Sequence, residues 1–292
     1  MNARSKQRRI GFMSFGVLAL IFGAVFYMLM NLATGAAVAE PVTESPRAGP
    51  SFDFPLISKY VADLVDTGYL TLVNRQHPIS AEPDSLSPAW PTVAVSRTDG
   101  MYLHPSALRA VSQMFASARS AGIDGLHVSS GFRGHEAQAR LYDNGANSAF
   151  ALPPGHSEHH TGLGVDIMAT GISQRDLGNS RQGRWMANNA YRYGLILRYP
   201  KGAEDITGIT FEPWHFRYVG TVHAYFMHHN NLVLEEYLQL IRDRGEIAVD
   251  KNGTVYYVLF QPERDGMIDL PPDLNFNVSN DNKGGYVVTA WR

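Results

Sequence analysis

The clearest pattern of apolar and polar positions along the chain begins just after His104. Apolar residues recur there at spacings of three and four, and one helical face is formed by Leu108, Val111, Met114, Phe115 and Ala118. This period of 3.6 residues predicts an amphipathic helix that has Pro105 in its first turn and ends before Gly122. Weaker patterns predict four further helices, at 135–144, 184–193, 221–229 and 234–242.

Short stretches rich in branched and aromatic residues predict strands. They lie at 70–73, 126–128, 195–198, 209–218 and 286–291. From residue 246 onward this pattern dominates, and Asn252-Gly253 is a typical two-residue hairpin turn. We therefore expect an α+β fold in which helices pack on a small, mostly antiparallel sheet, followed by a C-terminal β extension.

The N-terminal segment differs from the rest of the chain. Four basic residues precede Ile10, and no charged side chain then occurs before Glu40. As a helix rising about 1.5 Å per residue, the apolar part of this run would be roughly 30 Å long, which is enough to cross a bilayer. We expect a cytoplasmic leader at 1–9, a transmembrane anchor at 10–33 and a single-pass cell-membrane protein whose main domain is extracytoplasmic. A cleaved signal that ends near Ala37-Val38-Ala39 is the alternative.

Prolines and small polar residues dominate after this run, and they indicate a linker at 34–66. The remaining chain is expected to comprise a principal domain at 67–245 and the β extension at 246–292. Because about 45 residues form only a marginal core of their own, we expect the extension to pack against the principal domain.

Composition narrows the possible chemistry. The chain has 292 residues, of which 45% are hydrophobic and 18% are charged, a balance that is typical of a globular protein. It contains no cysteine, which excludes disulfides, iron–sulfur clusters, thiolate zinc sites and cysteine nucleophiles. The net charge of −2 at pH 7 offers no basic surface for nucleic acid, so no nucleic-acid partner is expected.

Histidines and carboxylates concentrate in two short segments. The segment 156–166 holds three histidines and ends at Asp166, and a second segment holds Glu212 and His215. Two imidazoles and one carboxylate leave an open position on a tetrahedral zinc ion, which is the composition of a hydrolytic site. Glu212, three residues before His215, is a candidate base that does not itself bind the metal.

The spacing alone does not select the first metal ligand. His156, His159 and His160 all lie close enough to Asp166 in the sequence to serve. The pair His135-Glu136 is a false match to the helical zinc-protease motif, since alanine stands four residues after the histidine. Serine mechanisms have no motif to support them. None of the five lysines completes a Ser-x-x-Lys pattern, and Gly-x-Ser-x-Gly is absent.

Ser-x-His-x-x-Gly-x-Gly-x-Asp at 157–166, followed by Glu-x-x-His at 212–215, resembles the signature of the zinc D-Ala-D-Ala peptidases. The match is closest to the VanY-type D,D-carboxypeptidases, although that family usually has alanine where Gly164 stands. The resemblance covers roughly residue 69 to the C-terminus. Other matching segments lie at 130–133, 151–155, 193–200, 212–220 and 232–238.

The resemblance implies a D-Ala-D-Ala metallopeptidase, or Hedgehog-like, fold and a role for each matched residue. Glu212 would be the general base and then the acid, and Arg133 would stabilise the oxyanion or hold the peptide carbonyl. Gln138 and Ser157 match positions that contact the terminal D-alanine of the substrate. One zinc ion per chain would be held by His159, Asp166 and His215.

The function implied by the resemblance is that of a zinc D,D-carboxypeptidase. It would remove the terminal D-alanine from peptidoglycan stem pentapeptides or lipid-linked precursors that end in D-Ala-D-Ala, contribute to vancomycin resistance and be insensitive to β-lactams. A related L,D-carboxypeptidase, D,D-dipeptidase or endopeptidase of the cell wall is the alternative. A non-catalytic cell-wall-binding zinc module is less well supported, since a binding module has no use for a general base.

Overall fold

The computed structural model of the protein describes residues 52–143 and 152–292. The helices in these residues are α1 Pro105–Ser120, α2 His135–Asp143, α3 Gln174–Leu177, α4 Arg181–Asn189, α5 Glu204–Thr207, α6 Thr221–Asn230 and α7 Leu234–Arg244. Short 3₁₀ turns are formed by Val61–Asp63, Glu158–Thr161 and Ala190–Tyr193. The strands are β1 Ile57–Tyr60, β2 Ser87–Pro88, β3 Tyr102–Leu103, β4 Leu126–Ser130, β5 Gly164–Ala169, β6 Leu195–Leu197, β7 His215–Tyr218, β8 Glu246–Lys251, β9 Thr254–Pro262, β10 Met267–Leu270, β11 Asn275–Asn280 and β12 Gly285–Trp291.

Two four-stranded antiparallel sheets dominate the described residues. The first has the strand order β4-β5-β7-β6, and the second has the order β11-β12-β9-β8. Two small antiparallel pairs, β1 with β10 and β2 with β3, complete the strands. The α+β fold class expected from the sequence is therefore confirmed.

The predicted amphipathic helix is α1, and its apolar face packs on the first sheet. Pro105 occupies the first turn, and the His104 ring accepts a hydrogen bond from the backbone N–H of Ser106, which caps the helix. The core that α1 forms with the first sheet includes Val111, Met114, Phe115, Val128, Val165 and Phe216. Each buried side chain of this size contributes about 1.5–3 kcal/mol of hydrophobic stabilisation.

The second sheet shares a hydrophobic core with the last two helices. Its members include Val219, Met227, Tyr237, Leu238, Val258 and Val287, together with Leu70 and Leu72. The Asn252-Gly253 hairpin joins β8 to β9, as predicted, with both residues at positive φ. Strand β1, which lies inside the segment 34–66, pairs with β10 from residues 267–270.

Two predicted strands differ from the structure because their backbone groups find other partners. No strand forms at 70–73, where the Thr71 carbonyl accepts a hydrogen bond from the Arg217 guanidinium and the Leu72 carbonyl accepts one from the Asn282 amide. The strand predicted at 209–218 begins only at His215. The residues just before it form a turn, in which the His215 N–H donates to the Glu212 carbonyl.

The membrane localisation expected from the sequence is corrected here. Within residues 52–143 and 152–292, no helix is both apolar enough and long enough to cross a bilayer. The longest helix described, α1, has 16 residues, or about 24 Å at 1.5 Å per residue, against a hydrocarbon core of about 30 Å. The predicted anchor at 10–33 lies outside the described residues.

A buried histidine joins the last two helices to the second sheet. His223 on α6 bonds through Nδ1 to the Tyr237 hydroxyl of α7 at 2.6 Å, and through Nε2 to the Thr289 hydroxyl of β12 at 3.0 Å. Burial lowers the pKa of His223 from 6.5 to about 3, because the charged imidazolium would lose its hydration. The ring is therefore neutral in the folded protein over the ordinary pH range.

We expect His223 to make folding stability fall as the medium is acidified. The unfolded chain takes up a proton near pH 6.5, whereas the folded chain does so only near pH 3. Acidification to pH 4 should therefore cost up to about 3 kcal/mol through this residue. In urea unfolding measured from pH 7 to pH 4, the difference in free energy of unfolding between wild type and His223→Gln should narrow. A difference that stays constant over this range would contradict the prediction.

Candidate active site

The pairing of β5 with β7 sets Asp166 directly opposite His215. The Asp166 carboxylate lies 2.9 Å from Nδ1 of His215, and its second oxygen lies 3.4 Å from Nε2 of His159. His159 belongs to the 3₁₀ turn that precedes β5, which Gly162 ends with a positive φ of 67°. The sheet register and this short turn therefore bring together residues that are up to 56 positions apart in the sequence.

These three side chains form a cluster suited to a metal ion. One ligand atom from each of His159, Asp166 and His215 lies within 4.8 Å of the others. His159 donates its Nδ1–H to the Gly131 carbonyl at 2.7 Å, which leaves Nε2 free to bind a metal. Two nitrogens and one oxygen form a donor set that fits zinc and leaves a position open for water or substrate.

The two histidines of the cluster are buried and Asp166 is partly exposed, and the protonation of all three reflects their surroundings. Burial by itself lowers the pKa of His215, but hydrogen bonds to the carboxylates of Asp166 and Glu158 outweigh it and raise the pKa to about 9. Burial also favours the neutral acid at Asp166, but the two imidazoles hold the pKa of that carboxyl well below its usual range. The third candidate ligand, His159, has its pKa lowered, mainly by burial. An ionised carboxylate is the form that binds a metal.

The geometry favours His159 among the three neighbouring histidines as a candidate ligand. The His160 ring accepts a hydrogen bond from the Gly155 N–H at Nε2 and donates from Nδ1 to the Arg133 carbonyl, so both of its nitrogens are engaged. His156 bonds the Asn74 carbonyl through Nδ1. Neither residue belongs to the cluster of candidate ligands found among the described residues.

Glu212 lies on the turn that leads into β7 and lines the same cavity as the cluster. Its backbone N–H donates to the Tyr199 carbonyl, and its carbonyl accepts from the His215 N–H. The side chain is only 8% exposed, and this burial raises the pKa of its carboxyl to about 7, although nearby His215 and Arg133 favour the charged form. A carboxyl with a pKa near neutrality is suited to both accepting and donating a proton.

Arg133 follows β4 and lines the cavity with its guanidinium held from two sides. It donates to the Gln138 side-chain oxygen at 2.8 Å and to the Ser130 hydroxyl at 3.3 Å. The Gln138 nitrogen in turn donates to the Leu152 carbonyl at 2.6 Å, and Gln138 is 1% exposed. Gln138 therefore orients Arg133 in this structure; its predicted contact with substrate stays a prediction.

Ser157 caps the 3₁₀ turn of His159 by accepting the His159 backbone N–H, and it also lines the cavity. The cavity has a volume of about 400 Å³. One wall is apolar and consists of Leu152, Tyr199 and Ile209, which pack together. The cavity therefore combines an apolar wall with a dense set of charged and polar groups.

A buried ionic cluster that the sequence did not predict adjoins the site. The Glu158 carboxylate is fully buried and accepts hydrogen bonds from Arg198 at 2.8 Å and Arg217 at 3.0 Å. Burial alone would raise the pKa of Glu158, but the two guanidiniums hold it well below its usual range. The available signal was an arginine next to apolar residues of two strands, Arg198 directly after β6 and Arg217 beside Phe216 in β7, since a buried charge requires a partner.

A His/Asp/His set that could hold a metal ion, beside a buried carboxylate and a fixed guanidinium, is typical of the site of a hydrolase. Comparison with known proteins identifies the family. The family model for VanY D-alanyl-D-alanine carboxypeptidase matches residues 100–221. A D-alanyl-D-alanine carboxypeptidase from Enterococcus faecium is 33% identical over an alignment of 236 residues that covers 77% of this chain and 75% of the relative. The chain therefore belongs to the VanY family of D-alanyl-D-alanine carboxypeptidases.

Solved structures agree with this assignment. The vancomycin-resistance D,D-dipeptidase VanXYg, in complex with a D-Ala-D-Ala phosphinate analogue, matches with a TM-score of 0.71 and 29% identity, over 82% of this chain and 99% of that one. The LD-carboxypeptidase LdcB matches with a TM-score of 0.55 and 36% identity, over 59% of this chain and 86% of that one. Both neighbours are peptidases by name, with different specificities.

The ligand assignment predicts different outcomes for two adjacent histidines. His159→Ala removes a donor of the cluster and should abolish stoichiometric metal binding. His160→Ala removes hydrogen bonds to backbone groups and the stacking contact with the His135 ring, and it should leave the metal in place, with some loss of stability. Metal analysis of the purified variants decides the matter, and stoichiometric metal in His159→Ala would contradict the assignment.

Proposed function

We propose that this protein is a zinc-dependent D,D-carboxypeptidase that removes the terminal D-alanine from peptidoglycan stem pentapeptides. The observation that carries the proposal is the convergence of the metal cluster, Glu212 and Arg133 on one cavity. Membership of the VanY family supports the substrate class. The donor set of two imidazoles and one carboxylate supports zinc as the metal.

When bound, zinc would supply Lewis acidity, which polarises a carbonyl and makes water acidic enough to react near neutral pH. His159, Asp166 and His215 would hold it. Glu212 accepts the proton of the attacking water on its carboxylate and then donates it to the nitrogen of the departing D-alanine. Its raised pKa supports this double role, because the group must change protonation state in each half of the reaction.

Arg133 is proposed to stabilise the negative charge that develops on the carbonyl oxygen. Its guanidinium is preorganised by Gln138 and Ser130, so little reorganisation is needed when that charge forms. The apolar wall of Leu152, Tyr199 and Ile209 lowers the local dielectric, which strengthens such interactions. The site therefore has one group for proton transfer, Glu212, and another for the oxyanion, Arg133.

Removal of terminal D-alanine would deplete the D-Ala-D-Ala ends that glycopeptides bind, so we also propose a contribution to vancomycin resistance. The lack of a Ser-x-x-Lys motif supports insensitivity to β-lactams, since no serine is equipped to form the acyl-enzyme. The similarity to an LD-carboxypeptidase keeps L,D-specificity as a second candidate. A binding module without catalytic activity would not need a buried general base such as Glu212.

The first prediction of this proposal concerns Glu212→Gln. The amide keeps the shape and hydrogen bonding of the side chain but cannot accept a proton, so turnover should fall by about 10²–10⁴-fold. Zinc should be retained, because Glu212 is not in the ligand cluster. The measurement is zinc content beside D-alanine release from a pentapeptide. A zinc-replete variant that keeps more than about a tenth of wild-type turnover would contradict the assigned role.

Arg133→Lys is the companion variant. Lysine keeps the positive charge but lacks the planar guanidinium, whose two terminal nitrogens bond Gln138 and Ser130 at the same time. Turnover should fall with zinc intact and with little change in thermal stability. A variant with undiminished turnover would show that the guanidinium geometry is not needed.

The second prediction concerns specificity. Assayed with stem pentapeptide, stem tetrapeptide and free D-Ala-D-Ala, the enzyme should release D-alanine mainly from the pentapeptide. Mass spectrometry of the products distinguishes the alternatives. Preferential cleavage of the tetrapeptide would identify an L,D-carboxypeptidase, cleavage of the dipeptide would identify a D,D-dipeptidase, and no cleavage by zinc-loaded protein would leave a binding module.

A further inference from the structure

We propose that Glu158 is a positioning residue for the metal site, which it serves by orienting the ring of His215. This inference rests on the metal site proposed above. Oε2 of Glu158 lies 3.4 Å from Nε2 of His215, on the side of the ring opposite to Nδ1. Nδ1 is the atom that faces Asp166, at 2.9 Å. The ring is therefore held between a buried carboxylate on one side and the ligand cluster on the other.

The two oxygens of Glu158 have separate tasks. Oε1 accepts both guanidinium hydrogen bonds, from Nε of Arg198 at 2.8 Å and from Nη1 of Arg217 at 3.0 Å. Oε2 is left for the histidine. This division fixes the plane of the carboxylate, so that its second oxygen is directed at the ring of His215.

The arginines are themselves anchored, which makes the carboxylate difficult to move. Arg198 forms two further bonds with the Glu235 carboxylate on α7, at 2.8 and 2.6 Å. Arg217 donates to the carbonyls of the 68–71 segment. Both guanidiniums are fully buried, so displacing Glu158 would leave buried cations without a partner, at a cost of several kcal/mol.

The consequence for the metal lies in the tautomer of His215. A carboxylate at Nε2 retains the proton there, which presents the Nδ1 lone pair to the metal, and its charge makes the imidazole a stronger donor. The other histidine ligand is oriented by a neutral group, the carbonyl of Gly131. Glu158 is therefore a buried anion that acts on the metal site through the ring of His215.

The test compares Glu158→Gln with Glu235→Gln in the full-length protein. Each variant neutralises one of the two carboxylates that bond Arg198. Only Glu158→Gln also removes the negative charge next to His215. The zinc dissociation constant is measured by chelator competition on metal-free protein, and the Co(II) absorption spectrum reports ligand geometry. We expect Glu158→Gln to bind zinc about 10–100-fold more weakly, with an altered spectrum, and Glu235→Gln to match wild type in both.

Two outcomes would overturn the inference. One is an unchanged zinc affinity in Glu158→Gln; the other is an equal loss in both variants, which would mean a general disturbance of the ionic cluster. If wild type itself bound no zinc, the proposed metal site would fail first, and this inference with it.

If Glu158→Gln does not fold, two double variants that preserve the charge balance are compared instead. Glu158→Gln with Arg217→Met, and Glu235→Gln with Arg198→Met, each leave one buried arginine opposite one carboxylate. Weaker zinc binding in the first pair than in the second would support the positioning role. Equal binding in the two pairs would overturn it.

Discussion

The site depends on one strand register, the antiparallel pairing of β5 with β7. Asp166 lies opposite His215 across this pair, and on its other side β5 pairs with β4, where Asp166 lies opposite Ser130. A slip of one residue would turn every side chain of a strand to the other face of the sheet. The candidate metal ligands of the sheet and the segment that carries Arg133 therefore depend on the same few backbone hydrogen bonds.

Two buried glutamates near this sheet have opposite protonation behaviour, and their neighbours explain the difference. Glu158 faces two guanidiniums that overcome the cost of burial and keep it ionised. Glu212 has burial as the dominant influence, and its pKa rises to about 7. One carboxylate is thus suited to a fixed charge and the other to proton transfer, as expected when environment rather than residue type decides the role.

Elements with a strong local pattern were predictable, and elements that depend on distant partners were not. Helix α1 and the Asn252-Gly253 hairpin follow from periodicity and turn chemistry, and the structure confirms both. The strand predicted at 70–73 failed because distant side chains, those of Arg217 and Asn282, take backbone carbonyls that a neighbouring strand would have used. The predicted strand at 209–218 was too long, since its first part turns so that Glu212 enters the cavity.

The sequence by itself determined the fold class, the exclusion of thiol chemistry and the short list of candidate residues, because these follow from composition and local spacing. Only the tertiary structure decided which of three adjacent histidines joins Asp166 and His215, and that Gln138 holds Arg133. It also disclosed the ionic cluster of Glu158, whose arginine partners lie 40 and 59 residues away along the chain. Hydrogen-bond partners at such separations are set by sheet pairing and burial, and no local pattern in the sequence encodes them.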